Sequence, residues 1–469
     1  MFKTLLNWLF GRRTPTPVQQ QPVTQAAGFE KLNRQAPLRA GPPAAAATEP
    51  AAAPQEIGAT FICREAVLNR KQKIAGYQFL LQEAARNHIR NSSRRVHHLY
   101  AEVLVNSLAH ADIGKLLGPR SAYIDIPDSF IDHECILHLP AANTVLVLTR
   151  LPDAGTPAPD ALLATIRRLR AIGYRIGLPD PVSEPGFADQ LPEADVVIVR
   201  APQLTAEAAL ALTASIVERA PRATLLVREL PGLEDFNFCF KLGASLFQGP
   251  FITSREDWKD HNLGPNFTRL AMLAGKLRKQ AETDEIVTLL KQDAALAVRL
   301  LRYINSAANG LSEHVSSIER ALILLGRDKL YRWVMLLMCS TDDKEGRASA
   351  VLETALVRAR MMELTGSRLS APERESLFLT GLLSLIDVVL QVPMERAMTS
   401  LAVAPEIEAA IMRSEGPYAP QLMLAQACER ADAEAIRSAA ERSQTTPEEA
   451  AEFHLQALAW ALEIQQAEA

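Results

Sequence analysis

The chain has 469 residues, 48% of them apolar and 22% charged, which excludes a wholly disordered or fibrous protein and leaves room for two or three domains. Fifty Lys and Arg stand against 54 Asp and Glu, a net charge of −4, so no global field directs the protein to nucleic acid or anionic lipid. The five cysteines (Cys63, Cys135, Cys239, Cys339 and Cys428) are far apart and mostly beside apolar residues. They form neither a disulfide framework nor a CxxC zinc pattern, and read as buried thiols of a reducing cytoplasm.

Residues 1–13, MFKTLLNWLFGRR, hold an apolar stretch too short to span a bilayer, with no small-residue cleavage site after it. Phe2, Leu5, Leu6, Trp8, Leu9 and Phe10 can line one side of a short helix flanked by Lys3, Arg12 and Arg13. Two readings stay open: a frayed terminus, or peripheral docking to a membrane surface or a partner. Up to residue 56 the chain is rich in Pro, Ala and Gln and reads as a linker that cannot bury enough apolar surface to fold alone.

From residue 57 to 265, short β-rich runs alternate with helical patterns. AYIDIP (122–127), TVLVLT (144–149), YRIGLP (174–179), DVVIVR (195–200) and TLLVREL (224–230) are nearly continuous apolar runs, the signature of parallel strands covered on both faces. PDALLATIRRLRAIG and LTAEAALALTASIVERA between them repeat apolar residues at helical spacing. The series predicts an α/β barrel or a doubly wound sheet, and the absence of a GxGxxG or Walker loop counts against the nucleotide-binding sheets. From 266 to 469 the period becomes helical, as in FTRLAMLAGKLRKQ and EIVTLLKQDAALAVRLLRYINSA. Ser316 with Glu319 suggests a capping box for a helix ending at Gly326, and Asp328 a cap for the next.

In a barrel, reacting groups belong at the C-terminal strand ends. Those ends carry Asp125, Thr149 with Arg150, Pro179 with Asp180, Arg200, Arg228 with Glu229, and Gln248. Few are carboxylates, whereas a divalent-metal hydrolytic centre needs several. Arg150, Arg200 and Arg228 can face phosphates or simply be ion-paired, and Asp125 and Asp180 can be ligands or loop hydrogen-bonders. In the second half, Asp387 inside an apolar helical run must be capped, paired or mark a helix end, and Asn305 reads as a structural hydrogen-bonder at a helix terminus.

Taken together, the two halves resemble known families. CREAVLNRKQKIAGYQFLLQ (63–82), RAIGYRIGLPD (170–180) and KLGASLFQGPF (241–251), in that order, resemble the EAL-type cyclic-di-GMP phosphodiesterase barrel. DAALAVRLLRYINSAANG (293–310), SSIERALILLG (316–326) and LFLTGLLSLIDVVLQVPM (377–394) resemble the HDOD domain, a helical output module related to HD phosphohydrolases. The resemblance implies a TIM-like barrel followed by an all-α domain and covers about residues 57–460.

Carried over residue by residue, the resemblance mostly implies loss. The motif's glutamate falls at Gln78 and a metal-binding asparagine at Asp125. The next ligand glutamates fall at Val147 and Arg150, and of a paired Asp-Asp only Asp180 persists, after Pro179. An expected lysine falls at Ile198, an aspartate at Arg200, and later glutamates at Arg228 and Pro231; Glu229 is adjacent, but its register points away. Gln248 and Gly249 are retained. In the helical domain the metal-binding His-Asp falls at Ser384 and Leu385.

The sequence therefore predicts no catalytic residue, no resident metal or cofactor and no phosphodiesterase activity. Arg150, Asp180, Arg200, Arg228 and Gln248 are the candidate ligand-binding set. The expected function is non-enzymatic, cytoplasmic signalling through a protein partner in a cyclic-di-GMP, motility or biofilm pathway, by reorientation of two rigid domains. Alternatives are a cyclic-di-GMP-binding effector and a weak enzyme using Asp125, Asp180 and Glu229. A homodimer stays open, and nucleic-acid binding is not expected.

Overall fold

In the computed structural model, the described residues are 62–81, 92–151, 155–182, 184–203, 211–212, 215–216, 218–256, 258, 263–305, 315–339, 347–401, 403–430 and 432–466. The amphipathic terminus and linker at 1–56, and most of the helix expected over LTAEAALALTASIVERA, lie outside them.

Eight strands close into a barrel in sequence order: β1 (Ile62–Asn69), β2 (Ile74–Leu81), β3 (Ser121–Pro127), β4 (Thr144–Thr149), β5 (Arg175–Pro179), β6 (Val196–Arg200), β7 (Thr224–Arg228) and β8 (Leu246–Gln248). The five apolar runs are β3 to β7, all parallel. β1 departs from a simple βα series, running antiparallel to both β2 and β8. Its turn explains this. Asn69 Oδ1 accepts from the backbone N–H of Lys71 (2.9 Å) and Lys73 (3.1 Å), and Gln72 takes φ 55°, closing a tight hairpin where a βα unit would need a crossover helix.

Strand alternation divides the apolar residues between two cores. Val67, Tyr123, Val145, Val147, Val196, Ile198 and Leu226 fill the barrel interior. Leu146, Leu148, Ile176, Val197 and Val227 point outward into a second core that runs without a break into the helical half. Outside the barrel, the Pro159–Ile172 helix starts with proline in its first turn and ends at Gly173, φ 117°, the positions where each residue suits a helix end.

From Pro265 the described residues are helical. The helix Ile318–Leu325 does end at Gly326, but its cap is Ser317, not Ser316: the Ser317 hydroxyl accepts from the N–H of Arg320, three residues on, at 3.2 Å. Asp328 lies within the first turn of the following helix, Arg327–Cys339. Asn305 caps the end of Ala294–Ile304, donating to the carbonyls of Leu301 (2.8 Å) and Val315 (2.6 Å) and accepting from Val315 N–H (2.7 Å). All five cysteines are buried, and none is in a disulfide. Burial pushes the thiols of Cys135 and Cys239 up to about 11 and that of Cys339 to about 12, so they stay protonated and unreactive near neutrality.

The halves are joined by polar groups as well as by the shared core. Glu353, on the Ala348–Thr365 helix, accepts both contacts of the Tyr77 hydroxyl (2.8 and 2.7 Å) and pairs with Arg64 and, at 3.3 Å, with Arg120. Burial alone would raise the Glu353 carboxyl pKa; the two guanidiniums and the Tyr77 hydroxyl outweigh it and hold it below the ordinary range. Beyond β8, Arg347 donates to Phe251 O (2.6 Å) and Ser254 Oγ (3.1 Å) and pairs with Glu256, while Arg255 pairs with Asp387 at 2.5 Å. Turning one half against the other would leave buried charges unpaired, so this junction is not the hinge expected of two independently mobile domains.

Candidate ligand cleft at the barrel mouth

The cleft opens at the C-terminal ends of the parallel strands. Its polar lining includes Glu65, Gln78, His97, Asp125, Thr149, Arg200, Arg228, Glu229 and Gln248, with Phe79, Tyr100 and Leu104 among its apolar walls. Gln78, Asp125 and Arg228 come from β2, β3 and β7, and Glu65 from β1, where it lies directly opposite Gln78.

These side chains form one network. Arg228 Nη1 donates to both oxygens of Asp125 (3.0 and 2.9 Å), and Gln78 Nε2 donates to Asp125 Oδ2 at 2.8 Å. Gln248 Nε2 donates to Glu65 Oε2 at 2.5 Å and to Gln78 Oε1. Arg228 is 7% exposed and Asp125 32%, so the pair lies between a surface bridge and a fully buried one. Arg228 Nε and Nη2, and Gln248 Oε1, are buried without a hydrogen-bond partner among the described residues.

The mouth does not fit the metal ions that the EAL resemblance implies. A divalent cation needs free oxygen lone pairs, but those of Asp125 already face a guanidinium and an amide N–H. The Gln78 side chain that reaches Asp125 presents a donor rather than an anion. Among the described residues no group of three His, Cys, Asp or Glu side chains is placed to hold a metal.

Of the five candidate residues, Arg200, Arg228 and Gln248 share the cleft, and Arg150 and Asp180 do not line it. Arg150 lies 3.6 Å from buried Asp128, which Arg94 also pairs at 3.0 Å, and its guanidinium lies over the Phe187 ring. Asp180 is buried in a local turn, its Oδ1 accepting from Val182 N–H at 3.0 Å. Glu229 differs from the expected register. Its φ of 61° breaks strand alternation just after β7, so the side chain turns into the cleft and lies 3.6 Å from Arg200, both half-exposed. Gly249 has a structural role, because with φ 145° a Cβ there would sit 2.4 Å from Leu230 N and 2.5 Å from Leu230 O.

Sequence reasoning missed Glu65. The available signal was the NRKQK turn, which pairs REAVLN with the strand of Gln78 and so sets Glu65 across from it.

In the helical half, Ser384 replaces the expected metal ligand and is buried. Its hydroxyl accepts from Arg358 Nη1 (3.0 Å) and donates to Gly381 O (2.7 Å). Arg358 also grips Glu429 with two bonds of 2.6 and 2.7 Å. The position is thus filled by a guanidinium and its carboxylate partner.

Residues 268–409 match the HDOD domain family. The helical half thus carries an HDOD domain, joined to an EAL-like barrel. The chain is 24% identical over 410 residues to the uncharacterized protein YuxH of Bacillus subtilis (strain 168), covering 85% of this chain and 97% of that protein. It is 25% identical over 376 residues to the cyclic di-GMP phosphodiesterase CdgJ of Vibrio cholerae serotype O1, covering 80% and 85%. Among solved structures it is similar to a standalone versatile EAL protein from Vibrio cholerae O395 in its c-di-GMP-bound form, with 14% identity, 41% and 90% coverage and a TM-score of 0.35. No helix of the described residues is long and apolar enough to cross a membrane.

Proposed function

We propose that this EAL-HDOD protein is a non-hydrolytic regulator that acts through protein contacts, its barrel mouth neutralised from within. The observation that carries this reading is Arg228 on both oxygens of Asp125, with Gln78 donating to the same carboxylate. A guanidinium supplies positive charge without activating water, which in this chemistry is the metal's task. The partner binds the barrel and HDOD domain as one rigid surface, because the buried Glu353 cluster ties them together.

A second reading has one observation in its favour: Arg228 Nε and Nη2 are buried in the cleft with no partner among the described residues, donors that suit a phosphate oxygen. This reading makes the barrel a cyclic-di-GMP-binding effector without turnover. Calorimetric titration of the full chain with cyclic-di-GMP, with and without Mg²⁺ or Mn²⁺, followed by chromatography of the nucleotide, tests both. Neither heat nor cleavage is the expected outcome. Heat without cleavage selects the effector, and a linear dinucleotide product refutes the non-hydrolytic reading.

A further inference from the structure

We propose that the β1–β2 hairpin couples the barrel mouth to the HDOD domain, so that a change in the mouth's charge network is felt at the Glu353 contact. The inference adds a regulatory path to the non-hydrolytic reading and rests on it only in taking the mouth as the regulated site.

The path is built from adjacent residues on two paired strands. In a strand, neighbouring side chains point to opposite faces. Glu65 faces the mouth, where Gln248 donates to it; Arg64, next to it, faces outward and pairs with Glu353. Gln78 faces the mouth and binds Asp125; Tyr77, next to it, faces outward and donates to Glu353. Glu65 and Gln78 are direct cross-strand partners. The two residues that read the mouth are therefore each one peptide from a residue that holds the helical domain.

The outward contact tolerates little displacement. Tyr77 is fully buried and Glu353 only 2% exposed. Arg64 lies over the Tyr77 ring at 4.6 Å, and Arg120 donates to the Tyr77 hydroxyl at 2.6 Å while reaching Glu353. A shift of β2 that moves the Tyr77 hydroxyl changes the hydrogen bonding of a buried carboxylate, which is costly in a low-dielectric site. The contact extends into the HDOD domain. Five residues along the same helix, Arg358 holds Ser384 and Glu429, so movement of the Ala348–Thr365 helix also reaches the vacated metal-ligand position.

Hydrogen–deuterium exchange on the full chain without ligand tests this. With Asp125→Asn, which removes the anion that Arg228 and Gln78 share, exchange in Ala348–Thr365 should rise roughly fivefold or more, the lower end of typical site couplings. The Pro159–Ile172 helix, which is not on the path, should stay unchanged. Glu353→Gln should raise exchange in β2 and β3 reciprocally. Changes confined to the strands around residue 125, or a uniform rise in every segment, would overturn the coupling. If Asp125→Asn does not fold, Gln78→Met removes the same link and is read in the same way. Because no nucleotide is present, failure here is distinct from failure of the functional reading, which only turnover of cyclic-di-GMP would show.

Discussion

The two ionic clusters on opposite faces of β1 and β2 use the same residue types to different ends. At the mouth, Asp125 is about one-third exposed and its network keeps unpartnered donors on Arg228. On the outer face, Glu353 is sealed under Arg64, Tyr77 and Arg120. The burial of the carboxylates separates them: Glu353, 2% exposed, depends wholly on its partners, whereas water reaches Asp125 even though Arg228 beside it is buried. One cluster thus suits a site that can respond and the other a joint that must hold.

The largest test of this contrast is truncation of the two carboxylates. Glu353→Ala leaves two arginines facing a buried void and should lower unfolding stability by about 3–5 kcal/mol in urea denaturation. Asp125→Ala should cost less, about 1–3 kcal/mol, because Asp125 is about one-third exposed although its loss leaves buried Arg228 without its carboxylate. Equal losses would erase the distinction between joint and mouth.

Acid sharpens the comparison. His454, buried beside the joint, has its pKa pushed down to about 3, by burial first and by Arg64 second. A lowered folded value means that the unfolded chain binds the proton more readily, so stability falls as pH drops below about 6.5 and continues to fall toward pH 3. Glu353, also lowered, adds its own loss below about 4.5. Denaturation midpoints across pH 3–7 check the sign, and His454→Gln should flatten the upper part of the decline. A protein that gains stability on acidification would contradict the burial of His454 and the ion pairing of Glu353.

The smallest effect is expected at the rim. Arg200 and Glu229 are both half-exposed and 3.6 Å apart, so Arg200→Ala should change stability by less than about 1 kcal/mol. A larger loss in the same denaturation assay would mean that the mouth is more tightly built than its exposure indicates.

Continuous apolar runs identified β3 to β7 because parallel strands buried on both faces must be apolar throughout, and helical spacing identified the second half. The resemblance assigns Gln78, Asp125, Arg228 and Ser384 to positions where it implies other residue types, a difference that sequence alone can register because residue type decides what can carry charge. Three things needed the tertiary structure. The hairpin of β1 sets Glu65 opposite Gln78, but only barrel closure against β8 brings Gln248 to it and makes it part of the mouth. The positive φ at Glu229 reverses a side chain whose direction strand alternation would have set the other way. The Glu353 joint assembles from residues 64, 77, 120 and 353, each ordinary in its own segment. Sequence determined which groups are present, and long-range packing decided which of them are close enough, and dry enough, to act on one another.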